Sequence, residues 1–302
     1  MDKDLRKKLI ERLEQGAITA ELYEEILKRW NSTDYKEKER TGQKESEDKK
    51  NDDHDKKERG SSVKVMGSGQ FDDVYARELS ISGSGRITGN VDVINMEISG
   101  AATVDGNAMV SEDLEVSGSL KIEGDAVAKN LDLSGSLKAR SLESKIVDAS
   151  GSLSIVQGVN AEEIEISGMG KMSTLTCVKL DSSGKIASGM IKAESIDIDG
   201  IIDSDEIECK AIRIDLSSNR GRIGKLNCNS VKISRQWRRF HSSSIRIDEI
   251  TCITADLEGV IATKIVGDDI TLGGGCDVDY VEAKTLKLSE NAVVRKKNVS
   301  GE

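Results

Sequence analysis

From Val63 onward, apolar and polar residues alternate in short runs that close on Ser-Gly. The series opens with Leu79-Ser-Ile-Ser-Gly83, Met96-Glu-Ile-Ser-Gly100, Leu114-Glu-Val-Ser-Gly118 and Leu131-Asp-Leu-Ser-Gly135. It continues with Val147-Asp-Ala-Ser-Gly151, Ile164-Glu-Ile-Ser-Gly168, Leu180-Asp-Ser-Ser-Gly184 and Ile196-Asp-Ile-Asp-Gly200. The closing glycines fall 17, 18, 17, 16, 17, 16 and 16 residues apart. The pattern persists without glycine at Ile214-Asp-Leu-Ser217 and Val231-Lys-Ile-Ser234. Strict alternation predicts half-buried strands. Weaker alternating pieces lie between the runs, as in Ser119-Leu-Lys-Ile122 and Ala126-Val-Ala128. One unit therefore holds about three short strands and leaves no room for a helix. Such a unit buries its apolar side only by stacking on its neighbours, as a coil whose turns pair in parallel about 4.8 Å apart. The predicted fold is mainly β: a single-stranded parallel β-helix, or β-solenoid, with about 17 residues per turn over residues 63–296, preceded by a short α-helical hairpin. About 13 turns would make a rod of roughly 60 Å. Glycine is expected at corners of positive φ, with Ser, Asp and Asn at the other turns.

Outside the coil the pattern changes. Leu5, Leu9, Ile10 and Leu13 recur at helical spacing, Gly16 breaks the period, and Ile18, Leu22, Ile26, Leu27 and Trp30 resume it. Residues 1–30 are thus expected to form a helical hairpin. Its contact residues would be Leu9, Leu13, Ile18, Leu22, Ile26 and Trp30, because helices this short need a packing partner. In residues 31–62, ten acidic and nine basic side chains crowd into 32 positions. This composition predicts a disordered tether. After Ser234 the register loosens at the insert Arg235-Gln-Trp-Arg-Arg-Phe-His241. It recovers at Ile245-Arg-Ile247, Ile270-Thr-Leu272 and Leu286-Lys-Leu288, with a turn at Gly273-Gly-Gly-Cys-Asp277. The coil is expected to end at residue 296, and the tail, residues 297–302, reads as disordered.

Charge and composition narrow the function. The 302 residues carry a net charge of −10, no proline and 3% aromatics. That suits a thin core of small and branched side chains and argues against general nucleic-acid binding. No apolar run is long enough to span a membrane, and the charged N-terminus lacks the apolar stretch of a signal peptide. A cytoplasmic location, free or at a membrane surface, is expected. Five cysteines without a Cys-x-x-Cys pair indicate neither a disulfide framework nor a zinc site. Cys228, Cys252 and Cys276 are equally spaced, which a coil can bring near one another, but the five cysteines read first as small buried residues in a reducing compartment.

Candidate chemistry is sparse. There are two histidines, His54 and His241, and no nucleotide, metal or nucleophile motif. The Ser-Gly pairs recur at every turn and read as corners. Glu97, Glu115, Asp132 and Glu165 follow the alternation and predict an outward acidic ladder. No catalytic residue, metal or cofactor is expected. The insert combines stacking surface with positive charge. Arg235, Trp237, Arg238, Arg239 and Phe240 are the candidates for docking on anionic lipid, a phosphate-bearing polymer or an acidic partner.

The Leu/Ile-x-Ile/Val-Ser-Gly turns of residues 63–296 resemble the bactofilins, polymer-forming cytoskeletal proteins. The resemblance implies a compact right-handed β-helix that assembles end to end without nucleotide. This chain departs from the usual pattern in lacking proline-rich tails, in its longer coil and in its aromatic-basic insert. The piece Leu13-Glu-Gln-Gly-Ala-Ile-Thr-Ala-Glu-Leu-Tyr23 is similar to short helical modules of the SHOCT type, which implies an oligomerisation or docking role for residues 1–30. An unclosed coil exposes strand edges at both tips. Val63, Val65 and Phe71 at one tip, and Leu286, Leu288, Val293 and Val294 at the other, are the candidates for self-assembly. The alternative is a non-polymerising adaptor or envelope-stress component, with the solenoid as spacer and the hairpin holding a protein partner.

Overall fold

The computed structural model describes residues 62–216, 221–235 and 243–301. The expected hairpin and tether, and Trp237 to His241 of the insert, lie outside the described residues. The chain divides into two units, Met1–Asp55 and Lys56–Glu302, and everything described belongs to the second.

That unit is a parallel β-solenoid of about 14 laps, about 75% strand. Each lap has three sides, and each side offers two inward positions flanking one outward position. In the lap that opens at Leu79, the inward residues are Leu79 and Ile81, then Gly85 and Ile87, then Val91 and Val93. All but Gly85 are core hydrophobics exposed by 1% or less. The next lap sets Met96, Ile98, Ala102, Val104, Ala108 and Val110 beside them in register. Six columns of stacked side chains therefore run the length of the coil. The alternation seen in the sequence is the cross-section of these columns.

The Ser-Gly corner closes each lap. The amides of Ser99 and Gly100 both donate to the Ile81 carbonyl (3.0 Å each), and Ala101 donates to Gly83 (2.9 Å). The corner glycines are not at positive φ, contrary to the expectation; among the described residues only Gly259 and Gly275 are. Close approach is the reason for glycine. A Cβ at Gly100, Gly118, Gly135, Gly151, Gly168, Gly184 or Gly200 would stand 1.9–2.0 Å from the carbonyl oxygen of the corner glycine one lap earlier. The corners stack as bare backbone, and no side chain fits between them.

The second corner carries Asp and Asn, as expected of the other turns, and joins them in a ladder. The Asn90 amide donates to Asp73 Oδ1 (2.7 Å), Asn107 to Asn90 Oδ1 (2.9 Å) and Asp125 to Asn107 Oδ1 (2.9 Å). Each side chain thus satisfies the turn of the following lap. Arg140 and the Ser141 hydroxyl (2.6 Å) close the series on the Asp125 carboxylate. Later laps also admit polar side chains to the core. The hydroxyls of Ser144, Ser182, Ser188 and Ser204 donate to backbone carbonyls at 2.8–3.0 Å, which removes the cost of burying them.

The coil ends later than expected. Val293–Val299 is a strand paired with Asp277–Ala283. The basic run Arg295-Lys-Lys297 is part of the last lap, because its backbone finds partners on the lap beneath it.

Candidate assembly surfaces

The first surface is the tip at the start of the coil. Val63–Val65, Ser68–Phe71 and Val74–Ala76 pair with the second lap alone. Among the described residues their outer edges have no strand partner. Val65 and Val74 are buried, and Val63 and Phe71 pack partly exposed against the core.

The second surface is the opposite tip. Thr285–Leu288 and Val293–Val299 pair only with the preceding lap. Leu286 and Val294 are partly buried on the core, and Leu288 is 43% exposed. Val293 pairs with Asp277, in the outward column, and is 54% exposed. Val294, paired with buried Val278, is the tip residue that continues a core column. Lys297 stands in the column of buried Val281 and Val299 in that of Ala283.

The two tips expose the two ends of the same columns. Chaining the registers lap by lap joins Val63 to Leu286, Val65 to Leu288 and Phe71 to Val294. The last of these runs through Ile87, Val104, Ile122, Ala139, Ile155 and onward to Val278. A second coil set end to end on the first would extend each column by the spacing of one lap.

The flanks are sorted by charge. On the first side, Glu97, Glu115, Asp132, Asp148, Glu165, Asp181 and Asp197 are neighbours in register. This is the expected acidic ladder, extended to seven rungs and about 29 Å. Arg213 and Lys232 follow on the next two laps, with Arg213 at 3.8 Å from Asp197. Lys179 pairs with Asp181 at 2.5 Å, while Glu115, Asp132, Asp148 and Glu165 have no basic side chain within ion-pair distance among the described residues. The matching outward column of the second side carries Arg86, Lys121, Lys138 and Lys171.

Arg235, one of the docking candidates, turns inward. Its amide donates to Glu258 Oε2 (3.2 Å) and its guanidinium to the Gly274 carbonyl (3.2 Å). Gly259 and Gly275 lie against it, so a Cβ at either position would strike the Arg235 side chain. The other four candidates, Trp237, Arg238, Arg239 and Phe240, and all six hairpin residues lie outside the described residues.

No group of three or more His, Cys, Asp or Glu among the described residues is placed to hold a metal ion. A groove of about 200 Å³ lined by Arg246, Asp277, Asp279 and Arg295 carries ion pairs along its wall, with Arg295 at 2.6 Å from Asp277 and 2.8 Å from Asp279. No described helix is long and apolar enough to cross a membrane.

No curated protein and no solved structure matches the chain. The family model of the bactofilins, described as polymer-forming cytoskeletal proteins, matches residues 59–141. That stretch spans the opening tip, the first Ser-Gly corners and the whole side-chain ladder from Asp73 to Ser141. Residues 59–141 are therefore a bactofilin domain, and the same lap repeats beyond it in one unbroken sheet as far as Val299.

Proposed function

We propose that this chain is a non-catalytic cytoskeletal scaffold that assembles end to end into filaments without nucleotide. One observation carries the reading: among the described residues both tips present open strand edges, and the six core columns that end at one tip begin at the other. Stacking a second copy there pairs the free backbone groups and covers Leu286, Leu288 and Val294. A contact between two different surfaces of the same chain does not close on itself, so it generates an open filament. The bactofilin match supports the same direction. In this reading residues 1–30 recruit a protein partner. The stretch from Trp237 to Phe240 docks the filament on an anionic lipid surface or polymer.

The test is sedimentation and negative-stain microscopy of the purified full chain without nucleotide, over a range of concentrations. Filaments whose width matches one coil are expected. Monodisperse monomers at every concentration and salt would overturn the assembly reading. Removing residues 1–62 separates the roles: filaments should persist and partner capture should be lost. Alanine at Trp237 and Arg239 should reduce co-sedimentation with anionic vesicles and leave filaments intact.

A further inference from the structure

Four cysteines fall into one column on the third side, and three of them are consecutive. Glu208 pairs with Asn227 and Asn227 with Thr251, so the residues that follow them, Cys209, Cys228 and Cys252, occupy three successive rungs. The equal sequence spacing had pointed to Cys228, Cys252 and Cys276. Cys276 instead sits on the second side, buried, with its thiol 3.2 Å from the Leu257 carbonyl. Neighbouring rungs of a parallel sheet are about 4.8 Å apart, inside the 4.4–6.8 Å Cα separation that a disulfide requires. Side chains in one column point the same way, which brings the thiols of Cys209 and Cys228 within interaction range of each other. Both residues are only partly buried, whereas Cys252 and Cys177 are buried.

A second observation concerns the chain between these rungs. The third-side column recurs at Val93, Val110, Ala128, Ser144, Ala161, Cys177, Ala193, Cys209, Cys228, Cys252, Gly267, Ala283 and Val299. Its intervals are 19 residues from Cys209 to Cys228 and 24 from Cys228 to Cys252, against 15–18 elsewhere. Cys209, Cys228 and Cys252 occupy the rungs joined by the two longest laps.

We propose that Cys209 and Cys228 form a thiol–disulfide site, in which a peroxide ties two successive laps of the coil together. The Cys209 thiolate attacks one peroxide oxygen; an S–O bond forms, the O–O bond breaks and hydroxide leaves, taking up a proton to become water. Cys228 then attacks the sulfenic sulfur; the S–S bond forms, the S–O bond breaks and a second water leaves. Two thiols have lost two electrons and two protons, and one hydrogen peroxide has become two waters. Cys209 is the entry point. The interaction with Cys228 lowers its pKa despite burial, while that same contact raises the pKa of Cys228. Burial pushes Cys252 up to about 11 and Cys177 to about 12, which keeps both as inert thiols.

The experiment treats the folded full chain with hydrogen peroxide, then unfolds it, alkylates the remaining thiols and maps the peptides by mass spectrometry. The expected product is a reductant-sensitive Cys209–Cys228 cross-link within one chain, with Cys177, Cys252 and Cys276 alkylated. Cys209→Ala or Cys228→Ala should abolish it, and Cys252→Ala should not. Alanine already occupies this column at Ala161, Ala193 and Ala283, so the variants keep the fold, and circular dichroism checks that they do. Full alkylation of Cys209 and Cys228 after peroxide would overturn the proposal, as would cross-links only between chains or only sulfinic and sulfonic products. The outcome does not depend on whether the chain forms filaments.

Discussion

At Gly118 a methyl group would stand 1.9 Å from the Gly100 carbonyl oxygen, and at Gly67 it would meet nothing within 4 Å. The oxygen belongs to backbone that is itself hydrogen-bonded to the following lap, so it cannot give way. Gly118→Ala is therefore expected to cost about 1–3 kcal/mol, the range for overpacking, and Gly67→Ala to be close to neutral; urea unfolding of both variants checks this. The position of these glycines was legible in the sequence but their cause was not. A period of 16–18 residues marks a corner, yet it does not say whether φ or proximity demands glycine. Arg140 makes a second residue-scale prediction. Burial pushes the Asp125 carboxyl up, but the hydrogen bonds from Arg140 and Ser141 outweigh it and hold the pKa below its ordinary value of 3.8. The stabilisation is thus present above pH 3.8 and is lost as pH falls through the lower, folded value. Because Arg140 is half exposed, the pair is screened. Arg140→Ala should cost about 0.5–1 kcal/mol at pH 7, and the difference from the parent should shrink as pH falls below 3.8. Thermal unfolding at pH 7 and below pH 3.8 measures it.

Within single strands, alternation predicted the burial pattern well, because inward and outward positions follow directly from the pleat. Leu114-Glu-Val116 and Ile164-Glu-Ile166 bury both aliphatic residues and expose the carboxylate between them. What alternation could not supply was register across laps of unequal length. It therefore left residues 297–299 outside the coil. The side-chain ladder at the second corner did leave a trace, in Gly89-Asn90, Gly106-Asn107 and Gly124-Asp125 at the lap period, but it lacks the apolar residues that drew attention to the first corner. Strand pairing also stacks the acidic ladder, where Asp148 lies directly between Asp132 and Glu165. Like charges in opposed positions repel, and opposite charges there gain about 0.2–1 kcal/mol. Asp148→Lys should therefore raise stability by about that amount at low ionic strength. Near 1 M salt, where the screening length is about 3 Å, most of the gain should disappear. Urea midpoints at the two salt concentrations test the ladder, and an equal shift in both would show that charge is not its source.

For the whole molecule, adding a copy at a tip repeats the step that adds a lap within the coil, with one difference: within the coil the next lap is tethered, and at the tip it is free. Covering a few aliphatic side chains yields about 1.5–3 kcal/mol each, against an association cost of about 4–15 kcal/mol. The two ranges overlap, so any surplus from one lap's cross-section is small, and assembly should depend steeply on concentration and respond to a single side chain. Val294→Asp places a carboxylate over the Phe71 column, where end-to-end contact would strip its water, and filaments should be lost while the β-sheet signal in circular dichroism stays. Lys297 already puts a charge over the column that begins at Val74 at the other tip. Its long stem can carry the ammonium out to the rim, but that restraint consumes part of the surplus. Lys297→Leu should therefore lower the concentration at which protein first appears in the pellet, and Val293→Asp, in the outward column, should change it little. If Val294→Asp sediments like the parent, the tips are not the contact and the columns end without continuing into a second coil.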